Sequence, residues 1–298
     1  DKARKIYENV LGENHPSLAT TYNNIGSVYD SKGDYDTALE YYDKARKIRE
    51  RVLDENHPSL ATTYNNIGGV YAERGDYDAA LEYYDKARKI DENVLFKSHP
   101  SLADSYSNIG TIYSIKDDYD RALQYHDKAR KIRESVLGEN HPSLAMTYNN
   151  IGSVYGKKGD YDTALQSYDK ARKIAENALG ENHPDLAITY NNIANAYSGK
   201  GEYNAALGYY DKARKIFEIV FGEHHLKMAT TYDNIGTVYY NKGDFDKALE
   251  YQNKALIIRK DKLGEEHADV ALTYNNIGSV YDKKADYDTA LQCYDKVR

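Results

Sequence analysis

The stretch HPSLATTYNN, His15 to Asn24, decides the fold because it returns: near copies begin at His57 and His141. The histidine itself also stands at His99, His183, His225 and His267, so seven of them lie 42 positions apart without a slip. A strict period of this length marks an array that grows by stacking units, not by enlarging one core. The period predicts part of a second helix at 1–14 and six full repeats at 15–56, 57–98, 99–140, 141–182, 183–224 and 225–266. A shortened seventh at 267–298 completes one continuous array. The chain opens and closes at the same phase of the repeat, which we read as a piece of a longer protein with its targeting signals outside the sequence.

Within residues 15–56, Pro16 sits where a first helical turn accepts proline, because the N–H it lacks would be unpaired there anyway. Leu18, Tyr22, Ile25 and Tyr29 follow at helical spacing and predict a first helix over roughly 16–31. Lys32-Gly33-Asp34 interrupts it, with glycine suited to a left-handed residue and Asp34 suited to capping the next helix. Tyr35, Ala38, Tyr42, Ala45, Ile48 and Val52 mark a second stripe, on a helix over roughly 35–53. Glu40 before Lys44 and Asp43 before Lys47 have the favourable i,i+4 order and read as a solvated outer face. Gly26, Ala38 and Ala45 let the helices approach, and the unit's five tyrosines fill the space around them. One such pair cannot bury its stripes alone, so neighbouring pairs must cover it.

The pattern Tyr22-x-x-Ile25-Gly26-x-x-Tyr29, then Gly33-x-Tyr35-x-x-Ala38-x-x-x-Tyr42-x-x-Ala45, resembles the tetratricopeptide repeat, with Tyr22 where the family usually has Trp. The family unit is usually 34 residues, so about eight lengthen the helices or joints here. His15 to Tyr29, followed by Ala45 to Pro58, is most similar to the long repeats of kinesin light chains. The resemblance covers the whole chain. It implies an all-α class, a right-handed tetratricopeptide-like α-α superhelix of antiparallel helix pairs whose first helices line a concave groove.

Bulk composition narrows the function classes. Asp and Glu number 47 against 40 Lys and Arg, a net charge of −7, whereas a nucleic-acid surface calls for a basic face. No apolar run approaches the roughly 20 residues of a membrane helix. The single cysteine, Cys293, suits a reducing, cytoplasmic compartment. Neither a membrane nor a nucleic-acid partner is therefore expected.

The seven histidines belong to successive repeats, and packed helices lie about 8–10 Å apart. They cannot converge on one metal ion with ligands at about 2 Å. We read them as joint residues that cap or pack the start of each first helix. His126, standing where Tyr42 and Tyr84 stand elsewhere, reads as a satisfied core histidine, and His224-His225 beside Glu223 as a solvated loop pair. No Ser-His-Asp set, phosphate loop or paired-cysteine motif is present, and the carboxylates follow the repeat instead of pairing. The reading is therefore not an enzyme, with no metal and no cofactor.

The resemblance implies that Thr20, Asn23, Asn24, Ser27 and Asp30 face the groove. The second asparagine is present in every copy, as Asn24, Asn66, Asn108, Asn150, Asn192, Asn234 and Asn276; the first, Asn149 and Asn191 among its copies, drifts to Ser107 and Asp233. A carboxamide can both donate to and accept from an extended peptide, as groove asparagines do in the family. Alternatively, these asparagines tie one repeat to the next, and the two roles are compatible. The Lys and Arg that relatives place beside such an asparagine to hold acidic chaperone tails are missing. At the position of Thr20, Met146 and Ile188 would form an apolar spot in a polar groove and serve as a side-chain pocket.

Two further departures stand out. Phe217, Ile219 and Phe221, with Leu226, form either an exposed interface patch or local repacking against Leu226 and Met228. Phe96 replaces the usual glycine and should weaken a helix stop. Function thus reads as a protein–protein interaction scaffold or adaptor that binds a protein or peptide ligand in an asparagine-lined groove. Two alternatives stay open. Repeats 15–56 and 57–98 differ at only ten positions, so uncapped ends would allow head-to-tail self-association into a spacer or filament. The array would otherwise be the sensor region of a larger signalling NTPase or protease-like protein.

Overall fold

The computed structural model describes residues 14–94 and 99–297. Among them every regular element is an α-helix, fourteen in all, paired as first and second helices. The first helices are α1 (Pro16–Ser31), α3 (Pro58–Glu73), α5 (Pro100–Ile115), α7 (Pro142–Lys157), α9 (Pro184–Gly199), α11 (Leu226–Asn241) and α13 (Ala268–Lys283). The second helices are α2 (Tyr35–Val52), α4 (Tyr77–Val94), α6 (Tyr119–Leu137), α8 (Tyr161–Leu179), α10 (Tyr203–Phe221), α12 (Phe245–Leu263) and α14 (Tyr287–Asp295). The chain forms two compact units, Asp1–His141 and Pro142–Arg298. None of the helices is long and apolar enough to cross a membrane. Phe96 and residues 1–13 lie outside the described residues.

The repeated histidine is an N-cap. In His15, His57, His99, His183, His225 and His267, Nδ1 accepts a hydrogen bond of 3.1–3.2 Å from the backbone N–H two residues on. The imidazole nitrogen does what a serine or aspartate oxygen usually does there, and so satisfies one orphan donor of the helix start. Most second helices start on aspartate: Asp34, Asp118, Asp160, Asp244 and Asp286 each accept from the N–H three residues on, at 3.1–3.2 Å, whereas α10 starts on Glu202 without such a bond. The tight turn between the helices of a pair needs a left-handed residue, and Gly33 supplies it with φ +75°. Asp117 and Ala285 hold the same conformation at φ 60° and 59° without being glycine.

Packing inside each unit repeats one theme. A tyrosine from each of four second helices, Tyr42, Tyr84, Tyr168 and Tyr210, is buried against the isoleucine and alanine or valine of neighbouring helices. For Tyr42, Tyr84 and Tyr168 the ring lies on the bare backbone of a glycine in the preceding first helix, whereas Tyr210 packs on Ala194. A Cβ on Gly68 would stand 2.8 Å from Tyr84 Cδ1, and one on Gly152 would stand 2.6 Å from Tyr168 Cε1.

The outer charges do more than face water. Arg46 joins Asp43 and Glu50, the latter at 2.9 Å, and Glu50 accepts from the Tyr64 hydroxyl of the next pair at 2.8 Å. Glu92–Tyr106 and Glu176–Tyr190 repeat this link at 2.7 and 2.9 Å. Asp43–Lys47 forms as expected at 2.6 Å. Lys44 instead lies over the Tyr41 ring, 4.8 Å from its centre. Val52 is exposed and Arg49 takes the buried place on that stripe. The cause is helical geometry, since Arg49 follows Ala45 by one turn and faces the next pair. There its Nη1 donates to Ser59 O at 2.8 Å and to Thr63 Oγ1.

Candidate functional site

The face of interest is the one the first helices leave uncovered. Along α9, Ile188, Asn192 and Asn195 follow at i, i+4 and i+7 and so share one side of the helix. Asn192 and Asn195 line a cleft of about 260 Å³ between α7 and α9, with Ser153, Gly156 and Lys157 on the α7 side. Tyr161 and Tyr168 of α8 complete its lining. In the other unit, α3, α4 and α5 form a cleft of about 410 Å³ at the same register. Gly69, Glu73, Tyr77, Tyr84 and Asn108 there correspond to Ser153, Lys157, Tyr161, Tyr168 and Asn192. Each cleft is therefore lined by one of the asparagines singled out in the sequence.

The asparagines divide by bonding. The first of each pair ties neighbouring first helices together: Asn65 Nδ2 donates to Ser105 Oγ at 3.2 Å, Asn149 to Thr189 Oγ1 at 2.8 Å and Asn191 to Thr231 Oγ1 at 3.1 Å. In those three the Oδ1 is buried without a hydrogen-bond partner. The second asparagine is committed in two copies, with Asn66 donating to Asn23 Oδ1 at 3.2 Å and Asn276 to Asp233 Oδ1 at 3.1 Å. Asn150 is engaged as well. Asn108, Asn192 and Asn234 are half-buried and make no side-chain hydrogen bond to the described residues. The sequence held both roles open, and these hydrogen bonds bear on the tie between repeats alone.

Met146, one turn into α7, is 56 % exposed, while Ile188 is half-buried against the core of its unit. Both lie at the same helical register, one turn before the asparagine of their helix. Of the two readings of the aromatic departure, Phe217 follows the packed one. Phe217 is 1 % exposed and packs with Met228 in the core, because its register is buried in other copies too, as Arg49 and Arg133 show. Ile219, at 69 %, stays outside, and Phe221 stacks on His225 with ring centres 4.4 Å apart. His225 meanwhile caps its helix, so it is not simply a solvated residue.

His126 is buried, and burial together with the nearby Arg133 charge holds its imidazole down to about 4. Its Nδ1 has no hydrogen-bond partner among the described residues, which corrects the expectation of a satisfied histidine. An imidazole is shorter than the phenol found at this place in other pairs, so it stops short of the groups a tyrosine hydroxyl reaches. Burial also raises Tyr84, to about 12, with the Glu73 and Asp30 charges adding to the effect. Asp30 is itself raised by burial and by Glu73. Sequence reading named Asp30 but missed Glu73 and Tyr84. The available signal was the change from Ser27 to Gly69 and from Ser31 to Glu73 between two otherwise similar repeats.

Solved structures with the same helix-pair architecture include BtubC (BKLC) from P. vanneervenii, 25 % identical with a TM-score of 0.60 over 75 % of this chain and 87 % of that one. A putative kinesin light chain with nearly identical repeats from Podosopora anserina is 21 % identical, TM-score 0.60, over 69 % and 97 %. A Rap protein complexed with competence and sporulation factor is 18 % identical, TM-score 0.69, over 93 % and 72 %. No curated protein matches the chain. The tetratricopeptide-repeat family model matches residues 1–51, 31–93, 101–176, 143–219, 185–261 and 227–298. The chain belongs to the tetratricopeptide-repeat family, in an all-α form with long repeats like those of kinesin light chains.

Proposed function

We propose that this chain is a non-enzymatic interaction scaffold that holds a peptide segment of a partner protein against the first-helix face of its pairs. Tetratricopeptide repeats mediate protein–protein interaction, and a Rap protein of the same fold is complexed with competence and sporulation factor. The observation that carries the reading is the set of uncommitted carboxamides. Asn108 and Asn192 line clefts at one register, and Asn234 repeats that register. A carboxamide free of internal partners can donate to a peptide carbonyl and accept from a peptide N–H together. Asn66, already bonded to Asn23, helps hold the frame, and Asn150 is engaged as well. Met146 and Ile188 then read an apolar side chain beside that backbone grip.

Many of the outer-face carboxylates are taken up in ion pairs along their own helices, Asp169–Arg172–Glu176 being typical, which favours the first-helix face as the place of contact. The test is a peptide array probed with the parent and with an Asn108→Ala, Asn192→Ala, Asn234→Ala variant, after circular dichroism shows equal helicity. Peptides that the parent retains should bind the variant at least ten-fold more weakly. Equal binding by both proteins, or no peptide retained by the parent, overturns the proposal.

A further inference from the structure

Of the second-helix tyrosines that reach toward the first-helix face, one lacks a partner. Tyr42 pairs with Ser27, Tyr168 with Ser153, Tyr210 with Asn195, and Tyr294 lies 3.4 Å from Ser279. Each partner stands fifteen positions before its tyrosine. For Tyr84 that place is Gly69, which has no side chain to offer. Tyr84 is 6 % exposed and its hydroxyl makes no hydrogen bond to the described residues. It borders the space where a Gly69 side chain would sit, since a Cβ built there lies 3.7 Å from the hydroxyl oxygen.

That space is the cleft of about 410 Å³ between α3 and α5, larger than the 260 Å³ of its counterpart between α7 and α9. Its walls differ in character around their length. Ala72, Ile112 and Ile115 are apolar, Tyr77 and Tyr84 add ring surface, and Glu73 supplies a carboxylate. Glu73 stands close enough to Asp30 to add to the rise of that carboxyl's pKa. Neither carboxylate has an ion-pair partner among the described residues. In the counterpart cleft the place of Glu73 is held by Lys157, and Ser153 answers the tyrosine. The two sites share a frame and have opposite charge.

We propose that the α3–α5 cleft is a binding site for a cationic side chain, a lysine or arginine of the bound peptide. Its methylenes would lie on Ala72, Ile112 and Ile115, and its charged head would meet Glu73 and the Tyr84 hydroxyl oxygen. An apolar stem with a cationic head matches such a wall, and an aromatic ring beside a carboxylate adds attraction for a cation. This deepens, and for its peptide part rests on, the reading of the chain as a peptide scaffold.

The test separates the two claims. Nα-acetyl-lysine amide and its uncharged analogue Nα-acetyl-norleucine amide are titrated into the full chain, followed by amide shifts at Gly69, Glu73 and Asn108. The lysine probe should saturate those shifts at a concentration at least five-fold below the norleucine probe. Glu73→Lys, which copies Lys157, should abolish the preference. Gly69→Ser, which copies Ser153 and meets only ordinary contact at its Cβ, should weaken the lysine probe several-fold while the protein stays folded. Equal response to both probes, or unchanged binding in the two variants, overturns the cation site. In parallel, array peptides are compared with copies carrying norleucine for lysine. Peptides that bind with no charge preference remove the cation site and leave the scaffold reading intact. A bound lysine probe with no peptide retained keeps the site and removes the scaffold reading.

Discussion

The Tyr210 hydroxyl donates to Asn195 Oδ1, and this bond across fifteen residues joins a second helix to the exposed side of its first. The same step from Tyr84 arrives at Gly69 and finds nothing. Gly69→Ser should therefore raise stability, by about 1 kcal/mol for the hydrogen bond gained and a few tenths more for removing a glycine from mid-helix. Urea titration checks this against a Gly69→Ala control, which gains about 0.8–1 kcal/mol of helix propensity and no hydrogen bond and should fall short of the serine variant.

At Gly152, which corresponds to Gly68 two repeats on, an added methyl acts in the opposite sense. Gly152→Ala places a methyl 2.6 Å from the Tyr168 ring, which is buried and cannot swing away cheaply. The expected loss is about 1–3 kcal/mol, the range for overpacking a tight core. Pairing it with Tyr168→Leu should recover part of that loss, so a double-mutant cycle reads the contact directly.

His126 makes stability depend on pH. Its imidazole titrates near 4 in the fold, against an ordinary value near 6.5 in the unfolded chain. Between those values the unfolded chain binds the proton and the folded one does not, so stability falls as pH drops from 6.5 toward 4. Above pH 6.5 the group contributes no slope. The loss between pH 7 and pH 5 should be about 2 kcal/mol, from about 1.4 kcal/mol per pKa unit. His126→Tyr, the residue found at this place in several pairs, should remove that part of the slope when urea midpoints are compared at the two pH values.

Ala285 sits at φ 59° in the turn before α14, where the other pairs mostly use glycine. A left-handed alanine costs about 1 kcal/mol relative to an allowed geometry. Ala285→Gly should recover most of this despite the added freedom of the unfolded chain. Hydrogen exchange of the α14 amides is the local readout, with slower exchange expected.

How far the sequence could be read is best seen in single residues. The helix expected over roughly 16–31 is Pro16–Ser31, and the second, expected over 35–53, is Tyr35–Val52. Those limits are set by local chemistry, a cap and a glycine turn, which a sequence displays openly. The histidine was legible as a joint because its spacing excluded a common metal. Phe217 stayed open between exposure and packing because it replaces polar residues in other copies, and polar residues suggest exposure. Arg49 and Arg133 occupy that register buried, each satisfied by groups from a different helix. Such pairing depends on which neighbours converge, and spacing along one helix does not reveal it. The cleft at Tyr84 was hidden for the same reason: it is made by a side chain that is missing opposite one that is present.

The measurement that tests the account most directly asks which face holds the partner. A peptide selected on the array is titrated by calorimetry into the parent and into two single variants, Asn192→Ala on the first-helix face and Lys173→Ala on the outer face. The account expects Asn192→Ala to weaken binding at least five-fold and Lys173→Ala to leave it unchanged. Equal affinity for parent and Asn192→Ala, or a loss confined to Lys173→Ala, would contradict it.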